Sequence, residues 1–264
     1  MMTWNKFISL LIEVADKYYL LAGLAFLIFY VLLNKKISYK KIQLKFPRRT
    51  DYMREIIFST ISMLIFAIVP LVILHSDTIR PYTLYYNDIG EYGYMYFFLA
   101  FPVMLLVHDT YFYWMHRAMH LPRFFKIFHL THHKSTNPSP WAAYAFHPLE
   151  AVAEALIFAI FLFSMPIHKI HLIAFFSFSI FYNVYGHLGF EIYPKGFNKH
   201  WIGRWINTSI SHNQHHQHFK GNYGLYFTIW DRLMGTLRAD YDSAFDKVKS
   251  RTGPQPQLTK DLTT

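Results

Sequence analysis

Residues 56–74 form an apolar run of 19 residues without a charged side chain. A helix of that length, at about 1.5 Å per residue, crosses a hydrocarbon core of about 30 Å. In water such a run would have to be buried on every side, which few chains of this size can do. Four further apolar runs accompany it. The run 18–33 is extended on its N-terminal side by 7–14. The run 92–107 stops at His108-Asp109. The runs 151–165 and 172–186 are joined by Pro166-Ile167-His168-Lys169, which predicts a helical hairpin that enters and returns. Composition agrees: hydrophobic residues make up 53% of the 264 and charged residues only 16%, against about 25% charged in soluble domains. The expected fold is all-α, a multi-span transmembrane helix bundle of four to five hydrophobic segments. The expected organisation is residues 1–90 as N-terminal membrane helices with a basic loop, 91–240 as the catalytic domain, and 241–264 as a flexible tail.

The net charge is +10. A basic chain suggests nucleic acid, but the location of the charge argues otherwise. Lys35, Lys36, Lys40, Lys41, Lys45, Arg48, Arg49 and Arg54 stand against only Asp51 and Glu55 in the segment 34–55. A basic loop between apolar spans is the signature of a cytosolic loop. Counting spans from it puts 108–150 and 187–264 on that same cytosolic face. There is no cysteine, so disulfides, thiolate metal sites and thiol catalysis are excluded. No small-residue cleavage site follows the first apolar run, which reads as a retained span.

Fifteen of the sixteen histidines lie between His108 and His218. They bunch as His116-Arg-Ala-Met-His120, His129-Leu-Thr-His132-His133 and His212-Asn-Gln-His215-His216. Residues three or four apart share a helix face, so His116 and His120 can reach one metal ion. His129, His132 and His133 are expected to project from one stripe, and the third group likewise. Eight imidazoles exceed the four ligands of a zinc site and suit two adjacent metals. His187 ends the hairpin on the same face and makes a candidate ninth ligand. Imidazole suits Zn, Cu, Fe and Ni alike, so spacing does not choose the metal. Iron is favoured because the site faces a membrane whose lipid C–H bonds need a redox metal and O2. The H-E-x-x-H pattern of zinc proteases is missing from the sequence. The placement is also analogous to carboxylate di-iron sites in helix bundles.

These groups and their flanks resemble the fatty acid hydroxylase / sterol desaturase superfamily. The carrying stretches are His108-Asp109-Thr-Tyr-Phe-Tyr-Trp-Met-His116-Arg117-Ala-Met-His120, then His129-x-x-His132-His133-Lys-Ser-x-Asn-Pro with Trp141-Ala-Ala-Tyr-Ala-Phe-His147-Pro-Leu-Glu150. The third is His212-Asn-Gln-His215-His216 with Gly221-Asn-Tyr-Gly-Leu-Tyr-Phe-x-x-Trp230-Asp231-Arg-Leu-x-Gly235-Thr236. The resemblance covers residues 90–240. It implies an O2-dependent enzyme that hydroxylates or desaturates a sterol, fatty acyl or related lipid. It implies two iron ions, with zinc able to replace them on isolation, and electrons from a cytochrome b5-like or ferredoxin-like partner. The metal ligands it implies are His116, His120, His129, His132, His133, His187, His212, His215 and His216.

Asp109, His147 and Glu150 are candidates for orienting those ligands. His147-Pro148 with Glu150 also reads as an ordinary helix start, and Asp109 also reads as a span-end residue. His75, His168, His171 and His200 read as ordinary interface or structural groups, and His218 as a surface residue. Two rival readings remain. A membrane-surface zinc hydrolase would use Glu150 or Asp231 as base. A non-enzymatic haem or metal-binding protein would place ligands deep in facing spans. A transporter would need ionisable groups along its spans, which the apolar stretches of the first two lack. The lack of cysteine and of a retrieval signal at the C-terminus favours a bacterial inner membrane slightly over the endoplasmic reticulum.

Overall fold

The computed structural model describes residues 4–255 and is a bundle of helices. Helix α1 runs Trp4–Phe26 and continues as a π-helical turn over Leu27–Leu32. Helix α2 is Arg49–Leu74 and α3 is Tyr94–Met119. Three segments are long and apolar enough to cross a membrane, Trp4–Leu32, Arg49–Leu74 and Tyr94–Met119. The two remaining apolar runs are the shorter helices α6, Pro148–Ser164, and α7, Lys169–Gly186, paired as the expected hairpin.

The third span does not stop at His108-Asp109. Helix α3 carries 26 residues to Met119, about 39 Å by the helical rise. His108, Asp109, Phe112, Tyr113 and His116 lie along its buried side. The polar pair is tolerated because it points inward and finds partners there. His108 Nδ1 lies 3.0 Å from the Tyr226 hydroxyl, and Asp109 accepts the backbone N–H of Tyr226 at 2.7 Å. A polar residue therefore ends a span only when it faces lipid.

One end of the bundle is tied by two short parallel strands. β1, Tyr85–Tyr86, follows α2, and β2, Ile167–His168, forms the hairpin turn. His168 caps α7 by accepting the N–H of Ile170, and its other ring nitrogen lies 3.0 Å from the Asn87 carbonyl. His171 Nε2 lies 2.8 Å from the carbonyl of Phe97. Both do structural work, as expected. The histidine groups gather at the other end, where α3 and α7 finish.

There the short helices form a cap. They are α4 (Pro122–Phe128), α5 (Leu130–His133), α8 (Ser209–His218), α9 (Ile229–Leu233) and α10 (Tyr241–Lys249). Helix α10 corrects the expected flexible tail. Its Tyr241, Phe245 and Val248 fall at helical spacing and bury against Ile210 of α8. The few apolar residues there were enough because each lands on one face. The rest of the expected tail, 256–264, lies outside the described residues.

The basic segment is also less solvated than its charge suggests. Lys41 is fully buried. Its ammonium donates to the Gly189 carbonyl and sits 5.1–5.6 Å from the rings of Tyr30, Phe46 and Phe190. Burial pushes its pKa down to about 7. Gly189 has φ +70, and a Cβ there would lie 2.7 Å from the Tyr30 hydroxyl, so only glycine fits. This seam pins the 34–48 segment against the chain that follows His187.

Candidate metal centre

Nine histidines meet in the cap as two sets. His116, His120, His129, His133 and His215 form one, with all five ligand nitrogens within 4.8 Å of one another. His132, His187, His212 and His216 form the other, by the same measure. All nine expected ligands fall in one set or the other. All but His120, which is half-buried, are buried.

Their division differs from the expectation of single stripes. The chain bends at His129, between α4 and α5. His129 and His133 then serve the first set, while His132 turns to the second. In α8, His212 and His216 serve the second set and His215 the first. The reason is the helical period: neighbours in sequence point about 100° apart. Each His-His pair therefore straddles the two sets, and each i, i+4 pair stays within one. The sets are neighbours, with the His133 and His216 rings 4.9 Å apart between centroids.

Within each set the Nε2 atoms converge. In the first, His116 faces His129 at 2.9 Å, and His215 faces His120 at 3.1 Å and His133 at 3.0 Å. In the second, His187 faces His132, His212 and His216 at 3.3, 3.0 and 3.2 Å. The opposite nitrogens explain what this means. His116 Nδ1 bonds the Tyr223 carbonyl, His215 Nδ1 that of Gly221, and His187 Nδ1 that of Asn183. A carbonyl only accepts, so these three Nδ1 atoms carry the proton and their Nε2 atoms present bare lone pairs. The single lone pair of His187 cannot accept from three neighbours at once. One cation at the centre of each set would satisfy every converging Nε2 atom. Two nitrogens each about 2.1 Å from one ion lie about 3.4 Å apart at a tetrahedral angle and about 3.0 Å apart at a right angle. The closest converging nitrogens of both sets, 2.9–3.3 Å apart, lie near that range.

Electrostatics agree. Burial pushes the imidazoles of His129, His132, His133, His212, His215 and His216 well below the ordinary histidine range. Burial takes His187 to about 4. These rings are neutral at pH 7, the form that binds metal.

The candidate orienting residues divide. Glu150, fully buried in α6, meets His129 Nδ1 at 2.5 Å, so it does orient a member of the first set. Replacing it with glutamine is expected to lower metal affinity or turnover about 10- to 100-fold, measured by metal titration of the purified protein; an unchanged affinity and turnover would remove it from the site. Asp109 touches no histidine ring in the hydrogen-bonding pattern; it accepts the amides of Tyr226 and Phe227. His147 caps α6 through the N–H of Leu149 and belongs to neither set. His218 is exposed, as expected, and His200 is exposed with its Nδ1 accepting the N–H of Ile202.

The loop 221–228 stands in the sequence only as a flank of the third histidine group, with no role assigned to it. Its Gly221 and Tyr223 carbonyls hold His215 and His116. Gly221 has φ +81, and a Cβ would lie 2.7 Å from the Thr236 carbonyl. Asp231 in α9 accepts the amides of Tyr223 and Gly224 and the Thr236 hydroxyl. Backbone carbonyls carry no residue signature, so only the glycines and Asp231 could have flagged this loop.

Comparison with known proteins follows the same boundaries. A family model described as fatty acid hydroxylase matches residues 101–236, which contain all nine histidines. A probable Δ(7)-sterol 5(6)-desaturase of Neurospora crassa is 36% identical over 172 residues, 65% of this chain and 48% of that protein. A lathosterol oxidase of Mus musculus is 33% identical over 196 residues, 73% of this chain and 62% of that protein. The human lathosterol oxidase is 34% identical over 163 residues, 61% and 52% of the two chains. The chain thus spans about half to three-fifths of the length of these relatives. They are fungal and mammalian, which lends no support to the preference for a bacterial membrane. No solved structure matches the chain.

Proposed function

Because this chain belongs to the fatty acid hydroxylase family, we propose that it is a membrane-bound di-iron oxidoreductase that uses O2 to hydroxylate or desaturate a lipid C–H bond. The observation that carries the reading is the pair of histidine sets whose bare Nε2 atoms converge about a common centre. A set of five nitrogens exceeds a structural zinc site. The names of the similar desaturases and oxidases make a Δ7 sterol the first substrate to try. Electrons come from an external donor of the cytochrome b5-like or ferredoxin-like kind.

Bound iron supplies the redox chemistry that activates O2 toward an unactivated carbon. The chain's own work is different. His116, His215 and His187 are fixed in one tautomer by backbone carbonyls, and His129 is held by Glu150. Burial of the cluster excludes bulk water, which limits escape of reactive species. The long α3 carries His116 from the membrane span directly into the cap, which brings a lipid to the site without leaving the bilayer. A hydrolase reading is disfavoured because the two acids that the sequence offered as its base are engaged, Glu150 with His129 and Asp231 with backbone amides.

The test is incubation of the iron-reconstituted, detergent-solubilised protein with lathosterol, O2 and a reductant. Loss of two hydrogens or gain of one oxygen in the sterol, dependent on O2, is the expected result. Hydrolytic products, or two zinc ions that support an O2-independent reaction, would overturn the oxidoreductase reading. Oxidation of a non-sterol lipid alone would overturn only the sterol assignment.

A further inference from the structure

Helix α6 holds a second glutamate that the cluster does not use. The exposed side chains of α6, Leu149, Val152, Leu156 and Phe163, define the face turned away from the bundle. Glu154 lies near the middle of the opposite face, since each residue turns the helix by about 100°. Its neighbours on that face, Glu150, Ile157, Phe158 and Phe161, are all buried. Glu154 nevertheless keeps accessible surface and forms no hydrogen bond or ion pair among the described residues. A partly accessible side chain in the middle of a buried face lines a space inside the protein.

The level of that space can be fixed. Glu154 is one turn below Glu150, about 6 Å along the helix, and Glu150 holds His129 of the first set. Across the interface, the Tyr111 hydroxyl of α3 donates to the carbonyl of Ala153, at 2.7 Å. Tyr111 is five residues before His116, about 7.5 Å of helical rise. Glu154 therefore sits on the membrane side of the five-histidine set, about one turn beneath it. An ionisable group without a partner at that depth is costly and points to a ligand.

We infer that Glu154 receives the hydroxyl of the lipid substrate, so that this enzyme selects lipids bearing a free alcohol group close to the carbon it oxidises. The inference rests on the lipid-oxidising reading. An alcohol O–H donates to the Glu154 carboxyl group, and the lipid's apolar body occupies the space beside it. The hydroxyl then serves as a pivot. Carbons within about 6 Å of it come beside the metal set, and distant chain carbons do not. A sterol alcohol satisfies this requirement, and an unmodified acyl chain does not.

The test uses the metal-loaded protein in detergent and four probes, lathosterol, lathosterol methyl ether, octadecanol and octadecyl methyl ether, with binding measured by competition. The native protein is expected to prefer each alcohol over its ether by up to about tenfold, the worth of one hydrogen bond. Glu154→Leu should bind alcohol and ether alike, with ether affinity kept. Glu154→Gln, which keeps one carbonyl acceptor in a side chain of the same size, should retain an intermediate preference and guards against a leucine variant that does not fold. Equal binding of alcohol and ether by the native protein, or a preference unchanged in Glu154→Gln and Glu154→Leu, would overturn the assignment. So would failure of both alcohols to bind. Preference for octadecanol but not lathosterol would sustain it while removing the sterol. Metal content and O2 dependence are read separately, so a failed oxidoreductase reading is seen on its own.

Discussion

Replacing His187 with alanine is expected to empty one metal site and leave the other filled. The second set has only four members, and His187 Nε2 is the atom that faces the other three at 3.0–3.3 Å. Its loss leaves three nitrogens without their common neighbour. His215→Ala removes one of five and leaves four, enough for a metal to remain with weaker hold. Metal per chain should therefore fall from about two to about one in His187→Ala and less far in His215→Ala. Lipid oxidation should fall in both, by more than the about 10- to 100-fold typical of residues that only orient a ligand. His147→Ala, outside both sets, should keep its metal. Elemental analysis of the three purified variants beside the native protein checks this order. Full metal in His187→Ala would mean that the four-membered set is structural, and equal loss in His147→Ala would mean that the division into two sets is wrong.

That division was not legible in the sequence, although its members were. Eight of the nine candidate ligands stand out because imidazoles recur at helical spacing in a chain otherwise poor in charge, and His187 stands out by its place at the end of the hairpin and by the resemblance. Spacing ties His116 to His120 and His212 to His216, and the structure keeps both pairs together. It ties His129 to His133 in the same way, but it could not tell that His116 and His120 share a centre with His129 and His133 and not with His212 and His216, because that depends on how the helices pack. Apolar length placed the helices, yet it ended α3 at His108. Hydropathy averages over all faces of a helix, while the polar residues of α3 lie on one. The same averaging hid α10, whose three core residues are separated by polar ones. Asp109 was read as a partner for a ligand because of its neighbours in sequence; its partners are amides more than a hundred residues away. Contacts of that range are set by packing, and no local pattern reports them.

Asp231 illustrates what such contacts do, and its removal is expected to be among the most damaging single changes. The carboxylate is buried and takes the N–H of Tyr223 at 2.9 Å, that of Gly224 at 2.8 Å and the Thr236 hydroxyl at 2.7 Å. Thr236 has a second neighbour in the Tyr113 hydroxyl, but among the described residues the two amides have no partner besides Asp231. Asp231→Ala leaves both buried and unpaired, at about 1–3 kcal/mol each, so stability should drop by at least about 2 kcal/mol. Asp231→Asn keeps one acceptor oxygen but turns an NH2 toward an N–H, and should fall between alanine and the native residue. The loss is more than structural, because the same peptide that Asp231 holds carries the Tyr223 carbonyl to His116 Nδ1. Freed from it, His116 can take its other tautomer or swing away, and the five-membered set loosens. The thermal midpoint in detergent and the metal affinity should therefore fall together in both variants. A midpoint that drops with metal affinity unchanged would confine Asp231 to the fold; neither changing would show that the loop holds its shape without it.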